Sequence, residues 1–207
     1  FRYGITGENN MGKLTLILGG ARSGKSSYAE KRAKELGGDN VLYLATSQIK
    51  DKEMQERVDK HRADRPAAWG TLEAPRDLAN ALRKPQQASD QERPADVILL
   101  DCVTFLVANH LMDAAAPEDD PFDDPSADPF AKQIEAAVVA EVESLIEYVQ
   151  KNDVEMLVVS NEVGLGLVPA YELGRAYRDI LGRANQILAR HADEVLFFEA
   201  GLPMKVK

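Results

Sequence analysis

The sequence predicts an α/β protein that folds in three layers around a mainly parallel sheet. Short apolar runs alternate with segments of helical periodicity, which is the pattern of parallel strands joined by right-handed helical crossovers. The runs are nearly continuous in Leu, Val and Ile, as strands are when helices cover both faces of the sheet. A glycine-rich phosphate loop joins the first run to the first helix. Together these features predict a P-loop fold.

The predicted elements follow in order along the chain. Strands are predicted from apolar runs at residues 14–18, 41–45, 97–100, 156–160 and 194–199. Helices are predicted from helical spacing over residues 26–36, 52–64, 78–82, 103–112, 130–151 and 172–192. Gly37 and Gly38 are able to end the first helix, whereas Asp51 can cap the second and Pro66 would end it.

Length and composition favour a single cytoplasmic domain. The chain has 207 residues, and its net charge of −9 argues against a nucleic-acid binder, which would show a basic face. No apolar run is long enough to insert into a membrane. Cys102 is the only cysteine, so an internal disulfide is impossible and we interpret this residue as a small buried one. Because Met11 closely precedes the first strand, we expect residues 1–10 to be an added or misassigned start and residues 11–207 to form the domain.

An acidic segment interrupts this domain near residues 113–129. Residues 117–128 hold six of the 34 acidic residues and lack the pattern of a calcium loop. We interpret the segment as a solvated surface insertion, and residues 84–94 as a further surface loop.

The phosphate loop matches the pattern G-x-x-x-x-G-K-[ST] at every position, with the residues Gly19, Gly20, Ala21, Arg22, Ser23, Gly24, Lys25 and Ser26. Its glycines let backbone amides approach phosphate oxygens, and the following helix directs its positive end at them. Lys25 is expected to reach the β- and γ-phosphates, and the Ser26 hydroxyl to ligate Mg²⁺. Arg22 either adds positive charge near the same phosphates or points into solvent.

Further polar residues follow the predicted strands, where an open α/β sheet forms its ligand crevice. These residues are Thr46, Ser47, Gln48, Asp101, Asn161 and Glu162. Asp101 ends a buried strand, where a P-loop enzyme places the carboxylate that organises its metal. An ordinary strand-terminal carboxylate explains this position about as well.

One histidine lies in a basic segment at residues 56–66. Arg57, Arg62 and Arg65 could surround the His61 imidazole with guanidinium groups, which grip phosphate bidentately. Nearby cations also favour neutral imidazole, which leaves a nitrogen lone pair free to attack phosphorus. A histidine among charges is, however, more often a solvated helix residue than a nucleophile. The other two histidines have no comparable setting and are interpreted as structural.

The order of several motifs along the chain resembles one known family. The motifs are Leu16–Ser26, Tyr43–Gln48, His61–Pro66, Thr71–Glu73, Ser160–Pro169, Gly182–Gln186 and Gly201–Lys207. On these residues the chain resembles the bifunctional adenosylcobinamide kinase/adenosylcobinamide-phosphate guanylyltransferase of cobalamin biosynthesis. The resemblance runs from about Met11 to the C-terminus, apart from the acidic insertion.

This resemblance implies two successive reactions. The kinase phosphorylates the aminopropanol hydroxyl of adenosylcobinamide with ATP or GTP. The guanylyltransferase then moves GMP from GTP to that phosphate and releases pyrophosphate. In the family a histidine carries GMP as a covalent phosphoramidate, and the matching position is His61. The family also implies a recombinase-like P-loop fold and a homotrimer, and the Mg²⁺ expected from the phosphate loop would accompany the nucleotide.

The same resemblance assigns the site residues. His61 is implied to be catalytic together with Lys25, while Ser26 and Asp101 are expected to hold the metal from the loop pattern and the strand end. The implied nucleotide-binding residues are Gly19, Gly20, Ala21, Arg22, Ser23, Gly24, Lys25, Ser26, Thr46, Ser47, Gln48, Arg62, Ala63, Asp64, Arg65, Glu73 and Asp101.

Two departures from the family pattern concern this site. Some members have glutamate at the position of Asp101, so the shorter side chain changes its reach. The segment after the histidine often reads Lys-Asp-Gly-Arg in the family, whereas residues 62–65 lack that glycine. Other functions stay open from the residues alone: guanylyl transfer only, another small-molecule P-loop kinase, or a nucleotide-gated regulatory module.

Overall fold

A seven-stranded sheet organises the protein and confirms the predicted α/β class. The computed structural model describes residues 12–48, 65–84, 94–114 and 127–207. The strands are β1 (Lys13–Gly19), β2 (Val41–Ala45), β3 (Gly70–Glu73), β4 (Val97–Asp101), β5 (Glu155–Asn161), β6 (Glu194–Glu199) and β7 (Leu202–Lys205). Their order across the sheet is β3-β2-β4-β5-β1-β6-β7, and only β7 runs antiparallel to its neighbour.

The strands predicted from apolar runs are all present, and the sheet contains two further strands at its edges. β3 and β7 have weaker apolar patterns because an edge strand is covered on fewer sides than a central one. The side chains of β3 alternate between half-buried and exposed, and those of β7 are all exposed. The central strands, by contrast, are buried on both faces, which explains their continuous apolar sequences.

The described helices are α1 (Lys25–Gly37), α2 (Leu78–Arg83), α3 (Val103–Ala114), α4 (Ala127–Lys151) and α5 (Glu172–His191). The end of α1 is confirmed: Gly38 adopts a positive φ of 57° and donates its amide to the Lys34 carbonyl at 2.9 Å. The helix predicted over 52–64 and its cap at Asp51 lie outside the described residues.

Two helices border the segment predicted as a surface insertion and extend into its predicted bounds. Helix α3 continues to Ala114 and α4 already begins at Ala127, so residues 113–114 and 127–129 are helical. Alanine has the highest helix propensity, and the early Pro129 is tolerated because the amides of a first helical turn have no partner within the helix.

Helices cover the sheet on both sides, as the three-layer prediction requires. Ala29 and Ala33 of α1 pack on one face, together with Trp69 and the side chains of Tyr43 and Leu99. The other face packs against α2, α3, α4 and α5 in the larger of the two apolar clusters. No helix in the described ranges is long and apolar enough to cross a membrane.

Candidate nucleotide site

The carboxyl ends of the parallel strands bring several predicted site residues to one edge of the sheet. Ala45 of β2 pairs with Glu73 on one side and with Asp101 on the other. Because neighbouring strands lie about 4.8 Å apart, the backbones of Glu73 and Asp101 are roughly 10 Å apart across this edge. The phosphate loop leaves β1 at the same edge, where Gly19 pairs with Asn161. The fold therefore gathers these residues around one crevice.

The backbone of the phosphate loop curves into a cradle of amides. Arg22 and Gly24 have positive φ angles of 58° and 92°, on either side of Ser23. Alternation between left- and right-handed residues points successive N–H groups into one concavity, which binds anions. Helix α1 starts directly at Lys25 and adds the positive end of its dipole. The Arg22 side chain is exposed, so both of its interpretations stay open.

The turn between β6 and β7 contacts the backbone of the phosphate loop. The Gly201 amide donates to the Ser23 carbonyl at 3.0 Å. A Cβ on Gly24 would lie 3.2 Å from the Gly201 Cα, so the two backbones are close. The resemblance includes Gly201 among its motifs but predicts no role for it.

Lys25 lies inside the loop with its charge largely removed from solvent. The residue is 8% exposed, and its Nζ donates to the Gly20 carbonyl at 2.9 Å. Burial lowers the pKa of Lys25, an effect opposed by the nearby Cys102 and Asp101. A partly desolvated ammonium group held by its own loop can exchange that carbonyl for a phosphate oxygen.

The Ser23 hydroxyl is a second buried polar group of the loop. Ser23 is 8% exposed, and its Oγ makes no hydrogen bond to the part of the chain that the structure describes. Buried hydroxyls normally have a partner, so an unpaired one in a native structure calls for an explanation. This oxygen lies beside Gly19, 2.6 Å from the position that a Cβ on that residue would take.

Asp101 is held by an aromatic neighbour that sequence reasoning did not consider. The Tyr43 hydroxyl donates to Asp101 Oδ2 at 2.8 Å. Burial raises the pKa of Tyr43, and the Asp101 charge raises it further, so the phenol stays protonated and acts as the donor. No sequence motif links the two residues, because they lie on different strands.

Arg65 covers the other side of the same aromatic ring. Its guanidinium carbon lies 3.1 Å from the centroid of Tyr43, and its Nε is 3.9 Å from Glu30 Oε1. The side chain is only 9% exposed. The described contacts of Arg65 are thus with Tyr43 and Glu30, and its predicted contact with the nucleotide stays a prediction.

Thr46 is a structural link at the end of β2. Its hydroxyl donates to the Cys102 carbonyl at 2.7 Å and accepts the Cys102 amide at 2.9 Å. The Asn109 amide donates to the carbonyls of Thr46 and Pro75 at 2.8 and 2.9 Å. The Thr46 amide donates to the Asp101 carbonyl at 3.3 Å, so both its side chain and its backbone are engaged, and its predicted contact with the nucleotide stays a prediction.

Cys102 is buried, as expected, and its thiol is unreactive. Burial raises the pKa of its thiol to about 12, so it is protonated at neutral pH. A polar network between β5 and α5 was also not predicted: Ser160 Oγ donates to Asn185 Oδ1 at 2.7 Å, and Asn185 Nδ2 donates to the Asn161 carbonyl at 3.0 Å. It fixes the end of β5.

The remaining predicted residues divide into two groups. Ser47 and Gln48 follow β2 and are half-buried, whereas Glu73 is exposed at the end of β3. His61, Arg62, Ala63 and Asp64 lie outside the described residues, so their assignments stay predictions. The histidines interpreted as structural both have protein partners: His110 Nε2 pairs with Glu141 Oε2 at 2.7 Å, and His191 Nδ1 with the Ile187 carbonyl at 2.9 Å.

The residues assigned to a metal fit a hard divalent cation. Asp101 is held through one carboxylate oxygen by Tyr43, and its charge opposes the burial that lowers the pKa of Lys25 in the phosphate loop. Ser26 is half-buried in the first turn of α1. Carboxylate and hydroxyl oxygens are the ligands that Mg²⁺ takes when phosphates complete its coordination.

Residues 15–206 match the family described as cobinamide kinase / cobinamide phosphate guanyltransferase. The bifunctional adenosylcobalamin biosynthesis protein CobU of Escherichia coli K12 is 41% identical over 196 residues, covering 94% of this chain and 99% of that protein. The corresponding protein CobP of Pseudomonas aeruginosa is 41% identical over 192 residues, covering 93% of this chain and 96% of that protein.

Two solved structures align with the chain at low sequence identity. The RadB recombinase aligns with a TM-score of 0.43 and 12% identity, covering 91% of this chain and 74% of that one. The flagellar accessory protein FlaH of Methanocaldococcus jannaschii aligns with a TM-score of 0.42 and 16% identity, covering 96% of this chain and 79% of that one.

Proposed function

This chain belongs to the cobinamide kinase / cobinamide phosphate guanyltransferase family, and we propose that it catalyses both reactions at its phosphate loop. It phosphorylates adenosylcobinamide and transfers GMP from GTP to adenosylcobinamide phosphate. The observation that carries this proposal is the cradle itself. The loop combines positive φ angles at Arg22 and Gly24, a buried Lys25 and the start of α1, an arrangement suited to binding phosphates.

In the kinase reaction the triphosphate lies along the loop amides. The substrate hydroxyl oxygen attacks the γ-phosphorus, the bond to the β–γ bridging oxygen breaks, and a nucleoside diphosphate leaves. Lys25 moves from the Gly20 carbonyl to the phosphate oxygens and stabilises the charge that develops on them. ATP and GTP both present the phosphates that this cradle binds.

In the guanylyl transfer His61 acts as the nucleophile. Its neutral imidazole nitrogen attacks the α-phosphorus of GTP, and pyrophosphate departs beside Lys25. A phosphate oxygen of adenosylcobinamide phosphate then attacks the phosphoramidate, which breaks the P–N bond and regenerates His61. The covalent step divides one transfer between two anions into two transfers, each with a good leaving group.

Asp101 and Ser26 hold Mg²⁺ in this proposal. When bound, the ion neutralises phosphate charge and stabilises the leaving oxygens. Tyr43 holds the Asp101 carboxylate through Oδ2, and in this proposal the other oxygen binds the metal. Since the charge of Asp101 opposes the burial that lowers the pKa of Lys25, removing that charge alters the electrostatic balance of the loop.

The enzyme is proposed to assemble as a homotrimer. Support comes from the loop after β5, where Leu165, Leu167 and Val168 are 82%, 96% and 65% exposed. Contiguous exposed apolar side chains commonly mark an interface between proteins.

Analytical ultracentrifugation should find trimers for the wild type and monomers for Leu167→Asp. The control is Leu36→Asp, which replaces an exposed leucine of α1 and should remain trimeric. A monomeric wild type would refute this assembly.

Two separate assays test the activities. Adenosylcobinamide is supplied with ATP or GTP, and adenosylcobinamide phosphate is supplied with GTP. The proposal expects phosphorylation in the first assay, and pyrophosphate with adenosyl-GDP-cobinamide in the second. Lys25→Ala should impair both. Product in the second assay alone would restrict the enzyme to guanylyl transfer, and full kinase activity in Lys25→Ala would place the kinase nucleotide elsewhere.

A further inference from the structure

We propose that Tyr43 is a positioning residue of the nucleotide site, whose hydroxyl orients the Asp101 carboxylate while its ring face holds Arg65. The inference rests on the proposed function, because it concerns the residues that this function places around GTP and Mg²⁺. Neither the motif pattern nor the resemblance gives Tyr43 a role.

The sheet register explains how Tyr43 reaches Asp101. Tyr43 of β2 pairs with Leu99 of β4, and Asp101 lies two residues farther along β4. Residues two apart on a strand share a face, and such diagonal neighbours are within reach of an aromatic side chain. The phenol ends 2.8 Å from Asp101 Oδ2. A serine or threonine at position 43 would be too short, and a phenylalanine would lack the donor.

This hydrogen bond selects one orientation of the carboxylate. The terminal torsion of an aspartate has broad minima, so a free carboxylate rotates readily. A protonated phenol donates to one oxygen and thereby fixes the direction of the other. Tyr43 is 3% exposed, so its own position is set by packing beneath α1. Because the Tyr43 hydroxyl is held in place, the hydrogen bond also restricts the rotation of the Asp101 carboxylate.

The ring of Tyr43 performs a second task. The Arg65 guanidinium stacks 3.1 Å from the ring centroid, and Glu30 of α1 lies 3.9 Å from its Nε. Planar guanidinium groups stack favourably on aromatic faces. A buried chain of contacts therefore links the helix that follows the phosphate loop to Arg65, Tyr43 and Asp101. If Tyr43 only filled the core, it would need neither the hydrogen bond to Asp101 nor the stacked Arg65.

The test replaces Tyr43 with phenylalanine, which keeps the buried ring and removes only the hydroxyl. GTP binding is measured by calorimetry across a Mg²⁺ titration. We expect the Mg²⁺ concentration that half-saturates the enhancement of GTP binding to rise about tenfold, as the loss of a hydrogen bond to a charged group implies. GTP binding without Mg²⁺ should be unchanged. Tyr148→Phe, which removes a phenol on α4, is the control and should match the wild type.

Further variants separate positioning from a structural effect. In an Asp101→Asn background, Tyr43→Phe should cause little further change in the Mg²⁺ dependence, because the hydroxyl acts through the carboxylate. Tyr43→Leu should also weaken GTP binding without Mg²⁺, since Arg65 loses its support. A Mg²⁺ midpoint in Tyr43→Phe within twofold of the wild type would overturn the inference, as would an equal shift in both backgrounds. Failure of the wild type to bind GTP would instead refute the proposed function, and the inference with it.

Discussion

Replacing Gly19 with alanine introduces a methyl group where the structure has no room for one. Its Cβ would lie 2.6 Å from Ser23 Oγ, 2.7 Å from the Phe198 carbonyl oxygen and 2.9 Å from the Phe198 Cβ. Phe198 is paired with Gly19 in the sheet and is 1% exposed, so it cannot move aside. Overpacking a core typically costs about 1–3 kcal/mol. Because these contacts involve backbone and Cβ atoms, we expect about 2–3 kcal/mol here.

Gly20 provides a matched control in the same loop. A Cβ at this position meets nothing within 4 Å, and Gly20 does not have a positive φ. Urea unfolding followed by circular dichroism should therefore give Gly20→Ala a stability within about 0.5 kcal/mol of the wild type. With a denaturant slope of roughly 2 kcal/mol per molar, the Gly19→Ala midpoint should fall by about 1 M. Equal midpoints for Gly19→Ala and the wild type would refute this reasoning about the loop.

Three further substitutions test the electrostatics and hydrogen bonds of the fold. Lys25→Met should raise the melting temperature of the nucleotide-free protein while abolishing GTP binding, because burial lowers the pKa of Lys25 and so disfavours its charged form; a lower melting temperature would contradict this. Asn109→Ala should destabilise the protein by about 2–4 kcal/mol in urea, since two carbonyls lose their donor. Burial also raises the pKa of Glu155 above its ordinary 4.5, so the wild type should lose stability relative to Glu155→Gln as the pH rises through this value. A constant difference between those two proteins from pH 4 to 7, within roughly 0.5 kcal/mol, would exclude the effect.

Local signals predicted most of the fold. The central strands were predictable because burial on both faces imposes continuous apolar sequence, and α1 because Gly38 supplies the positive φ that ends it. The edge strands β3 and β7 were not, since partial exposure leaves them no such pattern. The start of α4 was placed three residues late, at residue 130 rather than Ala127.

The candidate site was predictable only where one contiguous segment carries it. The phosphate loop is such a segment, and its amides, Lys25 and Ser26 are adjacent in sequence. Tyr43 and Asp101 meet because β2 lies beside β4. Gly201 contacts the loop because β6, the strand that leads into its turn, lies beside β1. Strand order is a property of the whole sheet, and periodicity within one strand does not encode it.

The most direct test of the account is the covalent GMP intermediate. The enzyme is incubated with GTP labelled at the α-phosphate, denatured and analysed by peptide mapping. The account predicts label that survives denaturation, is released by acid, lies on the peptide containing His61 and is absent from His61→Ala. Discharge of the isolated adduct by adenosylcobinamide phosphate should yield adenosyl-GDP-cobinamide. Label retained by His61→Ala, or product formed by that variant at the wild-type rate, would contradict it.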